Sequence, residues 1–320
     1  MKNMRNKKTL LPTGDHTPID FSIEKENNKE KLKKVVREYL YPIYLYFKNK
    51  RVARTYSSVK NIGMDEVFLG QRGTDYAALR RKVDKVKEIK GCTILIIGIG
   101  TGRDLESWLN YKPKKIIAVD YFNYAKAWKM RINQYKNLYD TKIEFLQADI
   151  TDLNSLKENS IDIIGSDAVF EHINQFAKAI TELKRVMSNN GVLYANFGPL
   201  WYSWGGDHIS GTDHPKNAYN HIRLDEDKYH QYLDSFGEFS HSEHDGRTWI
   251  KNNLFSYLKP KEYLGTLKNK GLVSLYSSCT IDEKTVAYQK TYPEKYQELS
   301  QKFDEENLLV SGMTIIYAKK

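Results

Sequence analysis

The chain has 320 residues, of which 40% are hydrophobic and 28% charged, with a formal charge of +10. That length gives one or two domains with a sizeable core, and the composition excludes a disordered or membrane-embedded chain. Two cysteines, Cys92 and Cys279, exclude a disulfide scaffold and a cysteine-built zinc site. No run approaches the ~18 apolar residues of a membrane span, and the basic start lacks an apolar stretch of signal-peptide length. The expected compartment is the cytoplasm.

Residues 1–90 carry 22 Lys/Arg against 11 Asp/Glu, a net of +11, so the whole positive excess lies there. A basic surface of this kind suits acidic partners without proving one. Residues 1–30 read as a polar tail. A helix is expected over 30–50, with an aromatic cluster at Tyr39, Tyr41, Tyr44, Tyr46 and Phe47 and a break at Pro42. A second helix is expected at 75–89, with Leu79, Val83 and Val86 on one stripe.

From residue 91 the pattern changes. Strands are expected at 93–97, 115–119, 142–147, 161–166 and 191–197, separated by helices at 103–110, 122–137 and 173–187. This alternation predicts an α/β fold with a mostly parallel sheet and helices on both faces. Residues 198–250 are too long for an ordinary connection and read as an insertion. A helix at 261–270, a strand at 272–278, a polar helix near 293–305 and a last strand at 312–318 follow. The expected division is 1–90 as tail and helical cap, and 91–320 as one domain with insertions at 198–250 and 282–310. The second insertion reads as cover for the site or as a homodimer surface.

Thr93–Ile97 leads into Gly98-Ile99-Gly100-Thr101-Gly102-Arg103-Asp104. A glycine-rich turn between a buried strand and a helix lets the backbone approach a ligand, and the helix start beyond it suits anionic groups. The next strand ends at Asp120, where a carboxylate can accept bonds from both hydroxyls of a ribose. The dinucleotide pattern asks for Gly or Ala where this chain has Arg103, and no phosphate-loop lysine motif is present.

These residues resemble the first motif of class I S-adenosylmethionine-dependent methyltransferases. Further blocks agree: Phe145–Ile150, the strand at 161–166 with Val169-Phe170-Glu171-His172-Ile173, and Leu183–Met187 before Gly191-Val192-Leu193. The chain thus resembles the bacterial type-11-like methyltransferase domain family over 91–198, and more loosely over 260–318. The resemblance implies a Rossmann-like seven-stranded sheet with the last strand antiparallel, and S-adenosylmethionine as cofactor. It implies that Gly98, Gly100 and Gly102 pass beneath the amino-acid end of the cofactor, that Asp120 holds the ribose diol and that Asp149 holds the adenine amine. Tyr121, Ile150 and Asp167 complete that set. One departure stands out: the family often has an acid two residues before the first glycine, and this chain has Ile96.

On the acceptor side, Gly198-Pro199-Leu200-Trp201-Tyr202-Ser203-Trp204-Gly205-Gly206-Asp207-His208 begins where the cleft mouth is expected. Trp201 and Trp204, with Asp207, are candidate substrate contacts; the aromatic rings could equally pack the insertion. His208 is the general-base candidate, because an imidazole suits taking a proton from a hydroxyl. His172 and Tyr202 are weaker candidates. Asp207, His208, Asp213, His214, His221, His230, His241, Glu243 and His244 match no standard metal spacing, and no metal is expected.

The leading expectation is methyl transfer to a hydroxyl of a small molecule or a glycan or lipid precursor. An RNA or other nucleic-acid methyltransferase is the alternative, prompted by the basic first 90 residues. Against it, the segment after the fourth strand lacks the Asn/Asp-Pro-Pro-aromatic pattern of base amino-methyltransferases. Neither Cys92 nor Cys279 lies where a cytosine-attacking nucleophile would. A nicotinamide-dependent oxidoreductase is disfavoured by Arg103, and a non-catalytic binding subunit by the retained acids at 120 and 149.

Overall fold

The computed structural model describes residues 47, 51, 55–70, 75–242 and 245–319. The expected tail at 1–30 and helix at 30–50 fall outside these residues, Phe47 apart, as do Glu243 and His244. The chain enters through α1 (Ser57–Lys60), β1 (Glu66–Leu69) and α2 (Tyr76–Val86). Asp75 starts α2 by accepting the Ala78 amide (2.9 Å), which satisfies a donor that the first helical turn leaves free. The expected stripe on α2 is only partly right: Val83 is buried, Val86 is 39% exposed, and the large buried residue is Arg80 at 0%.

The alternating region runs β2 (Thr93–Ile97), α3 (Leu105–Leu109), β3 (Lys115–Asp120), α4 (Ala125–Tyr135), β4 (Lys142–Gln147), β5 (Ile161–Asp167), α5 (Phe176–Val186) and β6 (Met187–Phe197). The first insertion then holds α6 (Asn220–Arg223), α7 (Glu226–Asp234) and α8 (Gly246–Lys251). Next come α9 (Pro260–Asn269), β7 (Leu272–Ile281), α10 (Glu283–Thr291), α11 (Pro293–Ser300), α12 (Glu305–Leu309) and β8 (Val310–Lys319). The single polar helix expected near 293–305 is thus two separate helices.

The strands form one sheet in the order β1-β7-β8-β6-β5-β2-β3-β4. β8 is antiparallel to both β6 and β7, and the remaining pairs are parallel. The sheet is the expected seven strands plus one. The eighth is β1, which comes from the segment read as helical and pairs with β7 from Glu66↔Ser278 to Leu69↔Ile281. Four residues with one short apolar run, Val67-Phe68-Leu69, leave too little periodicity to announce a strand.

Even the central strands keep a two-residue alternation. Leu95, Ile97, Ile117 and Val119 face a core shared with α5 and α9, through Ile180, Leu183 and Leu267. Ile94, Ile96, Ile116 and Ala118 face the other core, with Val83 of α2, Trp108 of α3 and Trp128 of α4. Burial on both faces explains why β2 reads as an uninterrupted apolar run. A third, smaller core joins the two insertions: Tyr219 packs with Tyr288, Leu299 and Leu308, and its hydroxyl bridges Thr285 and the Leu308 carbonyl.

The chain moves from β2 outward to β3 and β4, then returns to lay β5 on the other side of β2. That reversal opens a crevice at the C-terminal ends of β2 and β5, where open α/β sheets bind ligands.

Candidate active site

The crevice is lined first by the glycine loop. Gly98 has φ +68°, and a Cβ there would lie 2.1 Å from the Val169 side chain, so only glycine fits. Gly100, at φ +53°, is different: a Cβ there would meet no atom within 4 Å, which leaves open space against its backbone. The loop is held from three directions. Asp120 accepts the Gly100 amide (2.7 Å) and the Phe122 amide (2.9 Å), Trp128 donates to the Gly100 carbonyl (2.8 Å), and Arg131 donates to the Thr101 carbonyl (3.2 Å). Asp120 is therefore a staple of the loop, a role its spacing did not announce.

The remaining cofactor candidates sit on the neighbouring strand ends. Asp120 pairs in register with Gln147, and the Ala148 amide donates to the Asp120 carbonyl (2.9 Å). Asp149 follows directly; it is exposed and accepts the Thr151 amide (2.8 Å). Ile150 is buried at 8% and Tyr121 is 40% exposed. Two carboxylates on adjacent strand ends, an apolar side chain beside one of them and an unfilled space over Gly100 suit a ribose diol and an adenine.

Asp167 ends β5 across the crevice and is not isolated. Its Oδ2 accepts from Arg80 Nη2 (2.5 Å) and its Oδ1 from the Tyr194 hydroxyl (2.6 Å). Arg80 also reaches Asp104 (3.4 Å) and Ser107 (3.1 Å), and its guanidinium lies 4.0 Å from the Trp108 ring centroid. Burial pushes the Asp104 carboxyl up to about 6 against the opposing pull of Arg80. Arg80 and Tyr194 were not singled out in the sequence, because each stands alone in an element whose other residues set the pattern.

The Glu-His turn after β5 forms the next wall. Glu171 is buried at 1%, with Oε1 accepting the Gly198 amide (3.0 Å) and Oε2 lacking a partner. His172 places Nδ1 3.1 Å from the Leu254 carbonyl, so in the neutral ring Nδ1 carries the hydrogen and Nε2 is left as an acceptor. Burial brings His172 down to about 3, with His208 adding to the shift. The His172 and His208 rings are 4.9 Å apart, Trp249 stacks on His172 at 4.6 Å, and Phe255 lies 5.0 Å from it. The structure thus unites two histidines 36 positions apart in sequence and adds Trp249 and Phe255, which the sequence reading missed.

His208 has φ +65° and a buried Nε2 without a partner. Burial brings its pKa down to about 4, opposed by Asp207, so the ring is neutral at ordinary pH. It lines a cavity of about 420 Å³ with Thr212, Ser240, Ser242, Asp245 and Arg247. Asp207 itself is fully buried and turns inward: it accepts the Ile209 and Ser210 amides and the hydroxyls of Ser210 and Tyr229. The aromatic residues that follow Leu200 part company. Trp201 joins the histidine wall, 4.8 Å from Phe255 and 4.6 Å from Tyr257. Tyr202 packs on Phe303 (5.4 Å) and Trp204 lies under Lys284 (4.4 Å), both toward the second insertion. Among the described residues no cluster of three or more His, Cys, Asp or Glu could hold a metal ion, and no helix is long and apolar enough to cross a membrane.

Glu171 offers a test of this wall. Burial pushes its carboxyl up to about 7 from an ordinary 4.5. Between those values the native state binds more protons than the unfolded chain, so the contribution of Glu171 to stability falls as pH rises. Glu171→Gln stays neutral. Its stability relative to the parent should therefore grow between about pH 5 and pH 8, toward about 3 kcal/mol at about 1.4 kcal/mol per pKa unit. His172 and His208 have the opposite slope in acid, but both proteins share them. Urea midpoints of the two proteins at both pH values measure this, and a pH-independent difference would refute the buried, protonated Glu171.

A glycine loop at the strand reversal, with acids at or just beyond the next two strand ends, is an arrangement that suits a nucleoside. Residues 95–195 match the family model described as "Methyltransferase domain". Residues 95–195 are thus a methyltransferase domain, of the kind that takes S-adenosylmethionine as methyl donor. An S-adenosylmethionine-dependent methyltransferase from Mesorhizobium loti is a similar solved structure, with 15% identity over 77% of this chain and 97% of that chain, at a TM-score of 0.45. Geranyl diphosphate C-methyltransferase from Streptomyces coelicolor A3(2) is similar at 9% identity over 76% of this chain and 80% of that chain, with a TM-score of 0.46. No curated protein matches the sequence.

Proposed function

We propose that this chain methylates a hydroxyl of a small molecule or of a glycan or lipid precursor, with His208 as the general base. The observation that carries the reading is the neutral His208, whose unpartnered Nε2 lies within an aromatic wall bordering a hydroxyl-lined cavity. When bound, S-adenosylmethionine supplies an electrophilic methyl group on a sulfonium. The protein's part is to hold the acceptor in line with it, and positioning can supply much of the rate. A base of low pKa suffices, because an alcohol becomes strongly acidic once its oxygen gains the methyl group. His208 then needs only to catch a proton that is already being lost. His172, its Nδ1 tied to Leu254, stands beside His208 as a second neutral ring.

Arg247 does not add a free charge to the cavity. Its guanidinium is occupied by Asp245 (2.6 Å) and by the carbonyls of Gly237 and Glu238. That favours a neutral, hydroxylated acceptor over a phosphate-rich strand. Asp120 and Asp149 are proposed to hold the ribose and adenine, with Tyr121 and Ile150 flanking the base. The two free thiols, Cys92 and Cys279, fit a reducing compartment, and we read the cytoplasm as its place of work. Turnover of labelled S-adenosylmethionine should appear with hydroxylated small molecules, glycans or lipid precursors. Turnover on RNA alone would replace this reading by the nucleic-acid one.

A further inference from the structure

The donor's amino-acid end is zwitterionic, and the usual acid two residues before the glycine loop is absent. Ile96, in its place, is 2% exposed and sits in an apolar core with Ile94, Trp108 and Tyr194. No ligand can be held there. A charged cluster lies close by instead, and it is incomplete. Arg80 is fully buried, with Nε on Ser107 and Nη2 on Asp167 and Asp104, while Nη1 is buried and has no acceptor. A guanidinium has five donors and cannot shed its charge, so Nη1 still has hydrogens to offer an incoming acceptor.

Its position identifies that acceptor. Asp167 follows Ser166, which pairs in register with Ile97, the residue before Gly98. Asp104 lies two residues beyond Gly102, the last glycine of the loop. Arg80 is therefore tied to both lips of the crevice, where the strand order reverses. We propose that Arg80 Nη1 receives the carboxylate of the donor's amino-acid end, and that Asp104 and Asp167 face its ammonium group. One buried cation with two carboxylates complements a zwitterion sign for sign. The Tyr194 hydroxyl, donating to Asp167, and the Trp108 ring, under the guanidinium, fix the pair in place. This inference rests on the donor binding at the glycine loop. It adds a binding residue that lies outside the matched domain, on a helix before it.

Calorimetry on the full chain tests it with three ligands: S-adenosylhomocysteine, which keeps the amino-acid end; its decarboxylated analogue; and 5′-methylthioadenosine, which lacks that end. In the parent, decarboxylation should weaken binding at least tenfold. Arg80→Met should weaken S-adenosylhomocysteine at least thirtyfold, leave 5′-methylthioadenosine within about threefold, and make the carboxylate nearly irrelevant. Arg80→Lys should lie between. Equal losses for all three ligands, or a parent indifferent to decarboxylation, would overturn the proposal; the latter result needs no variant to fold. A parent that binds none of the three would instead overturn the donor reading itself, and this inference with it.

Discussion

Replacing Asp120 by Ala should weaken S-adenosylmethionine binding by about a hundredfold. Two effects combine. The carboxylate sits at the end of β3, where the proposed ribose diol would donate to it, and hydrogen bonds to a charged acceptor contribute about 1.5–3 kcal/mol each. It also accepts the Gly100 and Phe122 amides, so its loss frees the glycine loop that the ligand lies against. A hundredfold corresponds to about 2.8 kcal/mol, close to one such bond with some loop disorder. Asp120→Asn keeps the shape and one acceptor and should lose less. Titration calorimetry on the three proteins measures this. Unchanged affinity in the alanine variant would mean that Asp120 serves the loop alone and that the ribose is held elsewhere.

His208→Ala should lower kcat by about a hundredfold or more, within the range of general acid–base catalysis, while the affinity for S-adenosylmethionine stays within twofold to threefold. The separation is expected because His208 packs on His172, Trp249 and Phe255, whereas the glycine loop is held by Asp120, Trp128 and Arg131. The pH profile gives a second readout. A base must be deprotonated to act, and burial holds His208 near 4. The acidic limb of kcat should therefore fall at about pH 4 instead of near the ordinary imidazole value, with a plateau through neutrality. A limb near pH 6.5, or full turnover in the variant, would remove His208 from the role.

The two variants probe halves of the molecule that were unequally visible in the sequence. The glycine loop, Asp120 and Asp149 obey local rules. A buried parallel strand must be apolar throughout, the turn after it must carry left-handed residues, and a polar ligand draws acids to the strand ends. The first two constraints act within a few residues and leave a readable spacing; the third is the role proposed for Asp120 and Asp149. The alternating order of strands and helices was legible for the same reason, and the antiparallel last strand followed from the family likeness.

The acceptor side was less legible. Trp201 and Trp204 were both candidate substrate contacts, yet Trp201 turns to the histidine wall while Trp204, with Tyr202, turns to the second insertion. Asp207 looked like a substrate contact beside His208, and the structure closes it inside the loop on Ser210 and Tyr229. Neighbouring residues in a non-repeating segment have no period to fix which way each points, so only the elements packed against them decide.

The entire positive excess lies in the first 90 residues, the segment expected to form a tail and helical cap. The central sheet, the glycine turn after β2 and the class of methyl donor were readable from local sequence. The place of the basic segment beside that turn came from the tertiary structure alone. The segment adds β1 to the sheet edge and carries Arg80 into the crevice, where the arginine meets acids 24 and 87 positions away. The physical reason is distance along the chain. A buried ion pair is a relation between side chains that local periodicity cannot encode, and a single arginine on a basic helix looks like any other until the fold removes it from water.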